Sequence, residues 1–579
     1  MAEGVQPKNG WDRRDWIAGI ALFLATAGFV LWQNAHIAVL WDLSYLLDTS
    51  WRIALGQMPY RDFPLVHPPG TFLIQAALMR IFGRIAWAPI GYAAVVGGAA
   101  TVLTWRILLR ELERRVQGAW IAALALAMPL CFLGVYGVYP HPIYDCDCVF
   151  AVLVALFLLQ RLIWGVERGR KSVRWLAFAA GVSAVVPCAF KQNIGLPFLL
   201  VLVLGVLSLL VLQRGRGEED LLRHRALLWL LAGVGVALAC AGLLVQFTAG
   251  WGNFWHWTVQ FAGERRLPGL GPMLANYKQR QLLWALPALL LGYQQLKTHK
   301  SMRERRIGFA AILLPFVTCL ILFFLVDGLD DQADVLLTLW PMLLLAAALQ
   351  AIYELRKGLA SRTLTLRGLM PFLLLAAIHG ALLSQQLWGS TYAIWPLLLL
   401  LVAMLLGALP TAADWVVPWI GGVVGAVLLI CGAVYAAGHD RLSYLNDLYG
   451  PVVHASLPAL RGMSAPGPYL ADFGELVRFA DREIPREDGI LLLPGEEPFF
   501  FASGRVPLFP VQIFDHTTDP YSAEELVAEA RRRGIRWVIV KTRLQSDDDP
   551  LPERERTIAL IAAEFKVERE LAGYTIYRQ

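Results

Sequence analysis

Charged residues are scarce in this sequence. Of its 579 residues, only 17% are charged and 57% are hydrophobic, whereas soluble domains carry about 25% charged residues. The low charge excludes an ordinary soluble protein. Apolar runs of about 20 residues, each long enough to cross a hydrocarbon layer roughly 30 Å thick, recur along the first three quarters of the sequence. We therefore predict a polytopic α-helical membrane protein with about 13 transmembrane helices, in which the first apolar run is a retained span rather than a cleaved signal peptide.

Disulfide, zinc and nucleotide motifs are also lacking. The seven cysteines all lie in or beside apolar runs, so no disulfide framework is indicated. Cys146 and Cys148 are separated by one residue and have no second Cys/His cluster, which makes a poor zinc site. No P-loop, GxSxG or HExxH motif stands in a supporting context, so a nucleotide-driven pump is disfavoured. No metal site is predicted, although two acidic outer loops leave a divalent cation open.

Lys and Arg are distributed unevenly among the predicted loops. Alternate loops, such as RILLRELERR and KTHKSMRERR, are rich in basic residues, whereas the loops between them carry few. Because cytoplasmic loops carry the excess of basic residues, the N-terminus is predicted to be cytoplasmic. An odd number of spans then places the C-terminal region outside. We expect a multi-pass protein of a bacterial inner (cytoplasmic) membrane whose C-terminal domain is extracytoplasmic.

The sequence divides into two predicted domains. Residues 1–437 form the transmembrane domain, which includes an outer loop at 41–84 with two interfacial helices. Residues 438–579 lose the long apolar runs and are predicted to form a small extracytoplasmic α/β domain. In this second domain SAEELVAEARRRG predicts a helix with a Ser cap and a Gly stop. IRWVIVK and GILLLP predict buried strands, and FKVERELAGYTIYR predicts a hairpin.

The outer loop concentrates ionisable residues where the chain leaves the bilayer. It begins WDLSYLLDTSWRIALGQMPYRDFPLVHPPG, and it contains Asp42, Gly56, the PYRDF segment and the HPPG turn in that order. A plain connection between helices needs only about 2–8 residues. Charges at a membrane boundary are costly unless they are solvated or paired, so they are candidates for chemistry. The loop is therefore predicted to form a roof over a cavity.

The order of these residues resembles the first outer loop of GT-C membrane glycosyltransferases. It is most similar to the branch that contains bacterial lipid-A aminoarabinose transferase and protein O-mannosyltransferases. Asp42 is followed by Leu43 where that family often has Glu, and His67 stands where it often has Lys. The resemblance implies a GT-C-like fold with a C-terminal α/β domain. It also implies transfer of a sugar from a polyprenyl-phosphate donor to a protein, lipid or glycan acceptor on the outer face, with inversion. Membrane lipid is an expected partner and nucleic acid is not.

By this resemblance Asp42 matches the catalytic carboxylate. Asp147 or Asp145, in the next outer loop, matches a second carboxylate. A carboxylate suits the reaction because an acceptor hydroxyl must lose its proton as it attacks the anomeric carbon. The alternative role for each Asp is a helix N-cap. Asp48, on the same predicted helix as Asp42, is expected to face solvent.

A lipid phosphate that leaves with negative charge needs cationic support. The candidate cations are Lys191, Arg265, Arg266, Lys278, Arg280, His67, Arg52 and Arg61. Lys191 stands among apolar neighbours at the outer end of a predicted span, where simple snorkelling is the alternative. Four of the others lie in WGNFWHWTVQFAGERRLPGLGPMLANYKQRQ. This loop is on the predicted outer side, where the positive-inside rule predicts few basic residues.

Weaker candidates for contacts with the sugar or the acceptor are His141, Gln385, Gln386, Tyr392 and Glu496. The alternative for each is ordinary surface or capping. Glu496 lies in PGEEPFFFASGR, and the three Phe residues of that segment are expected to dock the C-terminal domain onto the membrane domain. The alternative is that this segment closes over the acceptor.

Two other functions are consistent with parts of the sequence. A ligase that moves whole glycans from diphosphate-linked lipid carriers would share the topology and the cationic loops. A transporter or flippase for lipid-linked saccharides would need ionisable residues near the middle of the bilayer and two related halves. Neither feature is visible in the sequence.

Overall fold

The computed structural model describes most of the chain. The described ranges are 10–169, 173–212, 218–266, 270–298, 301–361, 363–383, 393–409, 415–437, 451–515, 518–545 and 552–579. Helices dominate up to residue 437, and strands occur only after residue 451 within these ranges. The molecule is therefore a helical membrane domain followed by a small α/β domain, as predicted.

The helices of the first part follow the predicted spans. They are α1 (Arg13–Asn34), α2 (Leu40–Ala54), α3 (Gly70–Phe82), α4 (Trp87–Leu112), α5 (Ala119–Ala127), α6 (Leu130–Leu133), α7 (Tyr144–Glu167), α8 (Arg174–Val185), α9 (Gln192–Leu212), α10 (Glu218–Thr248), α11 (Trp251–Trp255), α12 (Ala262–Arg266), α13 (Leu270–Ala275), α14 (Leu282–Thr298), α15 (Met302–Leu325), α16 (Leu329–Leu337), α17 (Leu339–Ser361), α18 (Met370–Leu382), α19 (Trp395–Gly407) and α20 (Val416–Ala437). Among the described residues, 8 helices are long and apolar enough to cross a membrane, and several shorter apolar helices accompany them. The chain is thus a multi-pass membrane protein.

The two helices of the outer loop, α2 and α3, precede the long helix α4. Helix α2 has one apolar face, and its buried side chains include Leu43, Leu47 and Ile53. Gly56, with φ of +97°, ends the first helix in a left-handed conformation that glycine adopts readily. Two helices thus precede α4 in the segment for which two interfacial helices were predicted.

The C-terminal domain contains the predicted helices and strands. Its elements are β1 (Val452–His454), β2 (Ser464–Pro466), α21 (Tyr469–Glu483), β3 (Gly489–Leu493), α22 (Phe499–Ser503), α23 (Ala523–Arg532), β4 (Ile535–Lys541), α24 (Pro552–Glu564), β5 (Lys566–Leu571) and β6 (Tyr574–Arg578). The main sheet has the order β3-β4-β6-β5, with β3 parallel to β4 and the other pairs antiparallel. Ser522 caps α23 in a capping box with Glu525, and Gly573 turns the final hairpin with φ of +91°.

One hydrophobic core joins the outer loop to the C-terminal domain. Leu43 and Phe72 of the loop belong to the same buried cluster as Phe473, Phe499 and Phe501 of the C-terminal domain. Burial of apolar surface is the main force that holds two such elements together. The prediction that the three Phe residues dock the C-terminal domain onto the membrane domain is supported by this packing.

Candidate active site

The first turn of α2 is held by residues from two distant parts of the chain. Val39, the N-cap residue of α2, makes no side-chain capping bond, and its N–H donates instead to His141 Nε2 at 3.2 Å. The N–H of Leu40 donates to Gln545 Oε1 at 2.8 Å, while Gln545 Nε2 donates to the carbonyl of Ala38 at 2.9 Å. Helix N-terminal N–H groups need such acceptors. The start of α2 is therefore fixed by the loop before α7 and by the C-terminal domain.

His141 acts in this structure as a helix cap. Because its Nε2 accepts from Val39, its proton lies on Nδ1, which is 3.0 Å from the Oδ1 of Asn34. This network assigns a neutral tautomer to the imidazole. His141 is 2% exposed, so its role here is to support the helix that carries Asp42.

Asp42 lies in this first turn, where the helix dipole favours a negative charge. The Tyr139 hydroxyl donates to Asp42 Oδ2 at 2.8 Å. Asp42 is half-buried, so the protein orients its carboxylate while the residue keeps contact with solvent. That combination suits a base that must meet a substrate.

A chain of aromatic and charged side chains begins one helical turn after Asp42. The hydroxyl of Tyr45 is hydrogen-bonded to His67 Nδ1 at 3.1 Å, and the His67 ring stacks on Tyr144 with centroids 3.8 Å apart. Lys191 Nζ lies over the same Tyr144 ring, 5.2 Å from its centre, within the range of a cation–π interaction. Lys191 also forms a buried ion pair with Asp145. Two of the predicted cations and one predicted carboxylate are thus brought together.

Asp147 is deeply buried and serves three hydroxyl donors. It accepts hydrogen bonds from Thr71 at 2.7 Å, Tyr92 at 2.8 Å and Tyr136 at 2.6 Å. Only 1% of the residue is exposed. A carboxylate with these partners ties α3, α4 and α7 together.

Asp48 lies on the C-terminal domain side of α2. The expectation that it faces solvent was wrong, because Asp48 is 1% exposed. Its carboxylate accepts the backbone N–H groups of Phe500 at 3.1 Å and Phe501 at 2.7 Å. Burial raises the pKa of Asp48 to about 7, although these two hydrogen bonds and the nearby Arg52 oppose the rise.

Arg52 is buried at the same interface. Its guanidinium donates to the carbonyl of Phe509, and burial lowers the pKa of Arg52 to about 9. Trp51, its neighbour, donates from Nε1 to the carbonyl of Arg505 at 3.0 Å. Both side chains hold the C-terminal domain.

The remaining predicted cations whose side chains are described are on the surface. Arg61 is exposed and pairs with Asp62 at 2.8 Å. Arg265 donates to the carbonyl of Asp519 at 2.6 Å, which joins α12 to the C-terminal domain. Lys278 and Arg280 are exposed. The backbone of Arg266 ends α12, and its side chain is not among those described.

Glu496 is part of a buried ionic cluster. Lys541 forms ion pairs with Glu496 and Glu497, and Glu496 also accepts the N–H of Gln545 at 2.8 Å. The cluster therefore stiffens the residue that caps α2. Gln385, Gln386 and Tyr392 lie outside the described residues.

Four side chains of this site were not predicted as site residues from the sequence: Tyr45, Tyr139, Tyr144 and Gln545. Two of them left a local signal. Tyr45 follows Asp42 by three residues, so the two share a helix face, and Tyr144 directly precedes Asp145. Gln545 left none, since its contact with Leu40 spans 505 residues of sequence.

Within the described ranges, no group of three or more His, Cys, Asp or Glu side chains is arranged to hold a metal ion. A scan against protein-family models finds no match, and a search of curated proteins finds none either.

Solved structures with a similar arrangement include two kinds of membrane protein. One is ArnT from Cupriavidus metallidurans bound to undecaprenyl phosphate, with 12% sequence identity, a TM-score of 0.48 and coverage of 98% of both chains. The other is the archaeal oligosaccharyltransferase AglB from Archaeoglobus fulgidus in complex with an inhibitory peptide and a dolichol-phosphate. There the identity is 13% and the TM-score 0.47, with coverage of 92% of this chain and 70% of the other. ArnT in the apo state is also similar, with 13% identity, a TM-score of 0.42 and coverage of 96% and 97%.

Proposed function

We propose that this protein transfers a sugar from a polyprenyl-phosphate donor to an acceptor on the outer face of the membrane. The observation that carries the proposal is the placement of Asp42. Its carboxylate is half-buried, it is oriented by the Tyr139 hydroxyl, and it lies on a helix fixed at its start by His141 and Gln545. A pre-oriented carboxylate costs little reorganisation when the reaction occurs.

The proposed step is a direct displacement. The Asp42 carboxylate takes the proton of the acceptor hydroxyl as the acceptor oxygen forms a bond to the anomeric carbon. The bond from that carbon to the phosphate oxygen breaks, and the electron pair leaves with the lipid phosphate. Displacement from the opposite face inverts the anomeric centre.

Lys191 and His67 are the proposed contacts for the phosphate. Both contact Tyr144: the His67 ring stacks on the Tyr144 ring, and the Lys191 ammonium lies over it. Lys191 is held by Asp145, and a phosphate oxygen could share the same ammonium, which has three N–H donors. The exposed Lys278 and Arg280 are proposed as a second, outer contact that attracts the anionic headgroup.

The proposed orientation follows the positive-inside rule. The N-terminus is cytoplasmic, and the Asp42 site and the C-terminal domain are extracytoplasmic, in a bacterial inner membrane. A cysteine placed in the exposed loop at Arg61 should react with an impermeant thiol reagent in intact spheroplasts, whereas one at Arg356 should not. The reverse labelling pattern would overturn the orientation.

The Asp42→Asn variant tests the function. With purified protein in lipid nanodiscs and a radiolabelled polyprenyl-phosphate sugar, transfer should fall by about 10²–10⁴-fold, the range expected for loss of a general base. Asp62→Asn is the matched control, because Asp62 lies in the same loop but is paired with Arg61 at the surface. The control should keep its activity. If Asp42→Asn transfers sugar at the wild-type rate, Asp42 is not the base. If only a diphosphate-linked glycan serves as donor, the protein is instead a ligase.

A further inference from the structure

A cavity of about 540 Å³ lies at the end of the helical bundle opposite Asp42. The two ends of the bundle are identified by the first and last turns of α4 and α7. The Asp42 end holds the starts of α4 and α7, where Tyr92 bonds Asp147. The cavity is lined by Glu111, in the last turn of α4, and its wall includes Arg367, which lies 3.7 Å from Glu167 at the end of α7.

The polar part of this cavity has an excess of positive charge. Its described lining carries the cations Arg115, Lys357 and Arg367 against the carboxylates Glu111 and Glu354. Arg367 is poorly satisfied by its neighbours. Its guanidinium has two long ion-pair contacts, at 3.9 Å to Glu111 and at 3.7 Å from Nε to Glu167, both beyond hydrogen-bond range, and its Nε is buried with no hydrogen-bond partner. A buried guanidinium donor without a hydrogen-bond acceptor is costly in free energy. An anionic ligand would supply an acceptor for Arg367.

The polar cavity adjoins an apolar one. The second cavity, of about 210 Å³, is lined almost wholly by apolar side chains of α14, α15, α17, α19 and α20. Gln350, Leu405 and Ala408 line both spaces. A ligand that fills the pair must therefore have an anionic head and an apolar chain.

We propose that the paired cavity binds an anionic glycerophospholipid. Its phosphate contacts Arg115, Lys357 and Arg367, and one acyl chain passes Ala408 into the apolar space. Basic pockets between transmembrane helices on the cytoplasmic side are suited to anionic lipid headgroups, and this end carries the Arg- and Lys-rich loops. The site is distinct from the Asp42 site and does not depend on the proposed transferase function.

The test compares phosphatidylglycerol with phosphatidylcholine of the same acyl chains, added to the full-length protein in neutral detergent. Native mass spectrometry should show preferential retention of phosphatidylglycerol. Lys357→Gln and Arg367→Gln should each weaken this retention roughly fivefold, the effect of about one cation on binding to an anionic lipid. Arg356→Gln is the matched control, because Arg356 is exposed at the same end of α17 but does not line the cavity.

Two further measurements separate the parts of the proposal. Ala408→Phe should block the chain and reduce retention of both lipids, while sn-glycerol 3-phosphate alone should not bind detectably, because the apolar chain contributes most of the affinity. Equal retention of the two lipids by the wild type would overturn the proposal. So would equal losses in Lys357→Gln and Arg356→Gln, which would indicate surface charge rather than a site.

Discussion

Asp48→Ala is predicted to loosen the C-terminal domain from the membrane domain. The Asp48 carboxylate is the acceptor for the N–H groups of Phe500 and Phe501, at the start of the short helix α22. These groups are buried beside α2, so no water replaces the lost carboxylate without local opening. Each buried N–H left without an acceptor costs about 1–3 kcal/mol. The two together cost about 2–6 kcal/mol.

Hydrogen–deuterium exchange of the protein in nanodiscs measures this loss directly. At the lower bound of about 2 kcal/mol, protection of the amides of Phe500 and Phe501 should fall roughly thirtyfold, since about 1.4 kcal/mol corresponds to a factor of ten. Amides in strand β4, inside the C-terminal domain, should be affected much less. The contrast between the two regions separates undocking of the domain from its unfolding.

Asp62→Ala is the control for this experiment. Asp62 belongs to the same outer loop, but it is near the surface and pairs with Arg61. It should leave the exchange of Phe500 and Phe501 unchanged. Wild-type protection in Asp48→Ala, or an equal loss in the Asp62→Ala control, would refute the argument that Asp48 holds the domain.

Three further predictions concern the supports of the site. Asp48 has a pKa of about 7 in the folded protein against an ordinary 3.8, so the folded protein binds this proton more tightly than the unfolded chain does. The free energy of unfolding should therefore fall by about 4 kcal/mol as the pH rises from about 4 to about 7, and then level off. Thermal melts across this range should show the fall, and Asp48→Asn should remove it. Gln545→Ala leaves the N–H of Leu40 without its acceptor, so hydrogen exchange at the Leu40 amide should rise by about tenfold and the rate of sugar transfer should fall. If both stay unchanged, Gln545 does not position α2. Asp147→Ala removes the acceptor of three hydroxyls and should lower the melting temperature far more than Tyr136→Phe, which removes one donor at about 1 kcal/mol; equal shifts would contradict a shared acceptor.

The predicted helices were confirmed where the signal was local. A run of about 20 apolar residues can satisfy its backbone in a membrane only as a helix or within a closed barrel, so hydropathy alone located the spans. The helix at Ala523–Arg532 was also predicted from the sequence, because its cap, Ser522, and its stop, Gly534, lie next to it in the chain. The final hairpin was predicted for the same reason.

The candidate site was only partly accessible to sequence reasoning. The sequence put His67 and Lys191 among the candidate cations, and the structure joins them through Tyr144. Arg52 was on the same list with equal chemical grounds, yet the structure buries it against the carbonyl of Phe509. Residue type and loop position do not distinguish a side chain of the candidate site from one that packs against another domain.

The sequence by itself determined what each segment could become: apolar length fixed the membrane helices, and local caps and turns fixed the elements of the C-terminal domain. Only the tertiary structure decided which acidic groups stay accessible. Asp42 and Asp48 lie on one helix, and the second is buried by Phe500 and Phe501, more than 450 residues further along the chain. Contacts over such separations leave no periodic or local trace, because they depend on which surfaces the folded domains bring together.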